Sequence, residues 1–134
     1  MDNIFHAGTK EFDEKVMVAV GKEFMIGRTD EGAFSYIGLN IETTPEGITL
    51  DQIDFIKKRL ETAKLRGGEN SRLLDKDETQ LLRRLTGKIN WAATQTRLDV
   101  AYTVVELSMN FKKACLEDLK KANKAINRLK GNPV

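Results

Sequence analysis

Asp2 and Asn3 are the first residues of the 134-residue chain whose types and spacing admit chemistry. They stand side by side ahead of an apolar pair, Ile4 and Phe5. Adjacent oxygen ligands at a turn can hold Mg²⁺ for phosphoryl transfer. Two-metal chemistry needs several such ligands in a near-octahedral array, and here Asp2 brings one charge while Asn3 brings a neutral oxygen. Asp2 is therefore a candidate catalytic and metal-ligating residue, the remnant of one, or part of an ordinary polar terminus. Other metal or nucleophile chemistry has less to draw on. A single histidine and a single cysteine, Cys115, exclude a Cys/His cluster and an internal disulfide framework. No base lies near Cys115 in sequence, so its thiol reads as structural or incidental.

The second candidate chemistry is charge. The net charge of +2 conceals an asymmetry. Residues 1–50 carry four basic and nine acidic side chains, whereas residues 51–134 carry 18 basic and 11 acidic. A basic second half is either a polyanion-binding face or the solvated surface of ordinary helices. Lys57, Lys58 and Arg59 form one cluster, and Lys113, Lys120, Lys124 and Arg128 share one sector of a helix.

These side chains need elements to position them. IFHAG reads as a short strand ending at Gly8. Thr9 then caps a helix through about Phe24, with Phe12, Val16, Ala19, Val20 and Phe24 on one stripe. FMIGRTDEGAF reads as strand, loop and strand entry. FSYIGLNIETTPEGITL gives the clearest β signal: two apolar runs about a turn built by Pro45 and Gly47, with a bulge or two-sided burial near Gly38. Thr49 and Gln52 have the spacing of a capping box, with Ile48 and Ile53 as its staple. The helix that follows buries Ile53, Ile56 and Leu60 and turns Lys57, Lys58 and Arg59 outward. TAKLRGGENSRLLDKD reads as a flexible linker near residues 62–76.

The last third is helical. Asp77 with Gln80 reads as a cap ahead of Leu81, Leu82, Leu85, Ile89 and Ala92. Thr96 with Asp99 fits another start, continued by Val100, Val104, Leu107 and Phe111. Leu116, Leu119, Ile126 and Leu129 define a final helix ended by Gly131 and Pro133. Arg97 and Asp99 are expected to pair with each other or with neighbouring helices. Trp91 belongs to the core or to a seam between the helices and the sheet. The fold class is thus α+β: a partial antiparallel sheet with one helix and a β-hairpin, then a helical bundle. Apolar residues make up 40% and charged residues 31%, as in soluble globular proteins. No apolar run approaches the length of a membrane span, and the start has no basic n-region. A cytoplasmic or nuclear location with no membrane partner is expected.

Several stretches together resemble the reverse transcriptase of copia-type LTR retrotransposons. FSYIGLNIETTPEGITLDQIDFIKKRLE is similar to that family's hairpin and following helix. LLRRLTGKINWAATQTRLDVAYTVVELSMNF resembles its next long block, with Leu98 where the family has proline; proline favours a first helical turn, so the helix start is relaxed. DLKKANKAINRLKG resembles the closing helix. The likeness covers essentially the whole chain. It aligns MDNIF with the turn that carries two catalytic carboxylates, so that Asp2 matches the first and Asn3 stands in place of the second.

The resemblance implies a division into residues 1–48, the end of the palm with a primer-grip-like hairpin around Tyr36 and Gly38, and residues 49–134, a thumb-like helical region. It also implies that the fingers, the first half of the palm and the third carboxylate lie outside this chain. Mg²⁺ serves the complete family enzyme, while this chain alone is expected to need no cofactor and to extend no primer. Tyr36 either supports a sugar or base or packs in the sheet. The implied nucleic-acid contacts are Tyr36, Gly38, Lys57, Lys58, Arg59, Lys120, Lys124 and Arg128, acting on RNA–DNA or DNA duplex. The competing reading is a domesticated or truncated product whose open palm edge binds a protein partner or a second copy.

Overall fold

A strand needs a neighbour to satisfy its backbone, and this requirement separates the two ends of the first fifty residues. In the computed structural model, which describes residues 4–134, the chain divides into one unit up to Glu31 and a second from Gly32 to Val134. The expected boundary at 48/49 falls inside a strand of the second unit.

In the first unit, Ile4–Gly8 form no strand, correcting the expectation for IFHAG; nor do Phe24–Ile26. Among its described residues the first unit contains no strand for either segment to pair with. Instead the Phe12 ring lies over Gly8, where an added Cβ would sit 2.8 Å from Phe12 Cδ1. The helix does form. Helix α1 (Lys10–Phe12), a π-helical segment (Asp13–Met17) and α2 (Val18–Glu23) run on without a break. The Thr9 hydroxyl accepts from the Phe12 N–H at 3.3 Å, as its position suggested. Its apolar stripe buries nothing within the unit: Phe12, Val16 and Phe24 are exposed. A single helix offers no second layer to cover a stripe.

The second unit opens with a three-stranded antiparallel sheet in the order β1 (Ala33–Tyr36), β2 (Leu39–Thr44), β3 (Gly47–Asp51). The Pro45 turn is present as expected, with Thr44 opposite Gly47 and the Thr44 hydroxyl donating to the Gly47 carbonyl. Near Gly38 the chain makes a second tight turn rather than a bulge. Tyr36 pairs with Leu39, leaving Ile37 (φ 50°) and Gly38 (φ 80°) as a two-residue loop. Positive φ at both central residues matches the twist of the flanking strands. Glycine adopts it freely, but a β-branched isoleucine does so at a cost. Ile37→Asn is therefore expected to raise the free energy of unfolding by about 1 kcal/mol, read as a higher urea midpoint; an unchanged or lower midpoint would show that the turn carries no strain.

The expected helix start at Thr49 is also corrected. Thr49 lies in β3 opposite Glu42, and helix α3 (Ile53–Arg59) begins four residues later. Cross-strand pairing with β2 outweighs the local capping box, and Ile48 remains exposed instead of stapling Ile53. Asp51 takes over the end of the strand. Its Oδ1 accepts from Asn40 Nδ2 at 2.8 Å and from the Ile53 N–H at 2.9 Å. Gln52 follows, fully buried. With its amide oriented by its neighbours, its nitrogen donates to Thr96 Oγ1 at 2.7 Å and its oxygen accepts from Trp91 Nε1 at 3.2 Å. Trp91 thus sits at the seam between sheet and helices, one of the two places the sequence allows it.

Three helices complete the unit: α4 (Lys76–Gln95), α5 (Ala101–Met109) and α6 (Leu116–Gly131). Ile56 and Leu60 pack with Leu82, Leu85, Ile89, Val104, Leu107, Leu119, Ile126 and Leu129 in one core. Most of the expected stripe residues are buried, with Leu81 and Phe111 only partly so, yet the helix starts differ. Asp75 and Glu78, not Asp77 and Gln80, form the α4 capping box. A 3₁₀ turn (Leu98–Val100), uncapped by any side chain, leads into α5 in place of a Thr96 cap, because Thr96 faces Gln52.

The stretch between Leu60 and Asp75 has no helix and only a single β-bridge, Leu73 to Cys115. Two-way hydrogen bonds join the Ala63 backbone to the Asn123 side chain, at 2.7 and 2.9 Å. The Leu74 N–H donates to Ala114 and the Leu116 N–H to Arg72, both at 2.9 Å. Arg72 then reaches Glu78 with both terminal nitrogens at 2.9 Å. Gly68 makes room for that arm: a Cβ there would lie 2.9 Å from Arg72 Cδ, at a φ of 138°.

Candidate nucleic-acid interface

A helix surface that tracks phosphates needs cations held outward by a buried opposite face. Ile56 in α3 and Leu60 directly after it are fully buried, and Lys57, Lys58 and Arg59 between them are exposed. These three sit in the last turn, where the helix dipole favours positive charge. Lys58 bridges Asp54 at 3.0 Å, but both partners are more than half exposed. Such a pair contributes little and gives way readily to a phosphate.

Helix α6 offers the second cluster. Leu116, Leu119, Ile126 and Leu129 are buried, leaving Lys120, Lys124 and Arg128 exposed. The three differ in availability. Lys120 donates to Asn70 Oδ1 at 2.7 Å. Arg128 lies 3.1 Å from Asp99, which Arg97 already grips with two nitrogens at 2.9 and 3.0 Å. The Arg97 guanidinium holds the Asp99 carboxyl below its ordinary range, against the opposing effect of burial. Lys124 has no ion pair among the described residues. Helices α3 and α6 are packed neighbours, and the Ala63–Asn123 hydrogen bonds fasten the chain just after α3 to α6 between Lys120 and Lys124 in sequence.

The hairpin residues have mixed positions. Tyr36 is half-buried at the end of β1, and Gly38 lies in the turn with an added Cβ 3.7 Å from Trp91 Nε1. That places the turn against α4. Asp2, the candidate catalytic and metal-ligating residue, lies outside the described residues. Among the described residues no three His, Cys, Asp or Glu side chains gather to hold a metal.

Sequence reasoning missed two cations that the fold adds. Lys88 on α4 donates to the Arg59 carbonyl at 2.8 Å, joining α4 to the end of α3. Arg84, one turn earlier, shares with Lys88 a cleft of about 290 Å³ that also includes Glu61 and Thr62. Their spacing of four residues on an amphipathic helix was the available signal; their proximity to Arg59 was not, since it spans 29 residues. No helix among the described residues is long and apolar enough to cross a membrane. Comparison with protein-family models, curated proteins and solved structures found no match for this chain.

Proposed function

We propose that this chain is the C-terminal part of a copia-type retrotransposon reverse transcriptase, comprising the end of the palm and a thumb-like helical region. In this reading it binds template–primer duplex without sequence preference and is catalytically incomplete alone. The observation that carries it is the outward basic turn of α3, directly after a pair of hairpins and anchored by Ile56 and Leu60. The quoted sequence blocks also support the reading, which assigns the role of primer grip to the turn at Ile37–Gly38. Lys57, Lys58, Arg59, Lys120 and Lys124 supply the phosphate contacts, with Arg128 secondary because Asp99 engages it. Mg²⁺ belongs to the complete enzyme. A cytoplasmic or nuclear site of action goes with this reading.

The test is equilibrium binding of the full chain to RNA–DNA hybrid and DNA duplex of unrelated sequences. Affinities of roughly 10⁻⁴–10⁻⁶ M at physiological salt are expected, equal across sequences. Absence of binding at low salt would overturn the proposal in favour of a second reading, a retrotransposon-derived interaction module. One observation favours that alternative: Ile48 and Leu50 on the edge strand β3 are 62% and 54% exposed. An open edge with apolar side chains invites another strand.

A further inference from the structure

Like charges one turn apart on a helix repel each other and weaken it unless an acid three or four residues away relieves them. Lys58 has Asp54 at that spacing, and Lys121 has Glu117. Arg84 and Lys88 on α4 have no such relief. They stand four residues apart, and the positions three and four residues from either hold no Asp or Glu. Among the described residues neither cation has an ion pair. The pair stands uncompensated on its helix, and an anion would correct that.

The fold makes the pair concave. Arg84 and Lys88 line one cleft with Glu61 and Thr62, which follow the end of α3. The Lys88 ammonium donates to the Arg59 carbonyl at 2.8 Å. That bond holds the ammonium in place and leaves two of its three protons for another acceptor. Thr62 is exposed, so its hydroxyl is a further donor at the same place. From Arg59 the chain runs extended through Leu60 to Ala63, whose N–H donates to Asn123 Oδ1 on α6 at 2.7 Å. Four residues of chain span at most about 14 Å. The α4 pair is thus joined through the end of α3 to the part of α6 that carries Lys124.

We propose that the Arg84–Lys88 cleft is a phosphate site for the backbone of bound nucleic-acid duplex, so that the basic surface continues from α3 onto α4. The inference rests on the duplex-binding reading and adds a contact which that reading does not contain. One phosphate accepts from the Arg84 guanidinium, the Lys88 ammonium and the Thr62 hydroxyl, and its charge relieves the repulsion within the pair. Such a contact positions the duplex and carries no sequence information. Glu61 borders the same cleft, and its carboxylate opposes an anion there. Two neighbouring residues of opposite charge therefore bear on the site with opposite sign.

Binding of the full chain to RNA–DNA hybrid across a range of salt tests it. Arg84→Gln should give a slope of log K against log salt shallower by about one. Because it removes a repelled charge from an exposed position, this variant should be at least as stable to urea as the wild type. Glu61→Gln should bind several-fold more tightly than the wild type. Either an unchanged slope for Arg84→Gln or an unchanged affinity for Glu61→Gln would overturn this site. If Lys57→Ala with Arg59→Ala still made the slope shallower, the duplex-binding reading would stand without it. A wild type that binds no hybrid at low salt would overturn that reading and this site together.

Discussion

Glu78→Gln is expected to cost about 2 kcal/mol at neutral pH and to remove much of the protein's acid sensitivity. Glu78 is buried, caps α4 through the Asp75 N–H at 3.1 Å, and receives both terminal nitrogens of Arg72. Hydrogen bonds to a buried charge are worth more than neutral ones, and losing the charge leaves the Arg72 guanidinium without its counter-ion. Arg72, foremost, holds the Glu78 carboxyl down to about 2, against an ordinary 4.5 and despite burial. The sign follows from this depression. Above pH 4.5 both folded and unfolded states are deprotonated, and the stabilisation is complete. Between pH 4.5 and about 2 the unfolded chain binds a proton that the folded one refuses, so stability falls with pH. Urea unfolding of wild type and Glu78→Gln at neutral pH and near pH 3 measures the effect. The gap between them should shrink in acid; a constant gap would show that the Arg72 pairing contributes nothing.

Arg97→Lys is expected to destabilise nearly as much as Arg97→Ala, by about 3 kcal/mol in each case. The Arg97 side chain is buried and makes a two-nitrogen contact with Asp99, while its third nitrogen donates to the Asn132 carbonyl. It thereby joins the α4–α5 corner to the end of α6. Lysine keeps the charge but lacks the planar fork that reaches Asp99 and Asn132 together. Equilibrium denaturation should place the two variants close together; a lysine variant as stable as the wild type would reduce the site to simple charge pairing.

Of these two networks, the Arg97–Asp99 pair was legible in the sequence, whereas the Arg72–Glu78 pair was not. The helix stripes Leu82–Ile89 and Leu119–Leu129 were legible because 3.6-residue periodicity is a local property that burial then exploits. The Pro45 turn was legible from turn chemistry in the same way. Thr49 misled because a valid capping pattern competed with strand pairing to Glu42, a partner that only the fold supplies. IFHAG misled for the converse reason, since apolar composition alone cannot provide a neighbouring strand. At Ile37 the residue type argued against the backbone it adopts. For the basic surface, outward placement followed from the complement of each stripe. Which cations are spent could not be read: Lys120 on Asn70 lies 50 residues away, and Lys88 reaches Arg59 across 29.

The central claim is that the outward basic turn of α3 contacts duplex phosphates. The salt dependence of binding tests it most directly, because each phosphate contact sets a share of the slope of log K against log salt. Lys57→Ala with Arg59→Ala removes two exposed cations while leaving the buried Ile56 and Leu60 in place. The double variant should unfold at the wild-type urea midpoint and bind RNA–DNA hybrid with a slope shallower by about two. Binding with an unchanged slope, by a protein equally well folded, would contradict the claim.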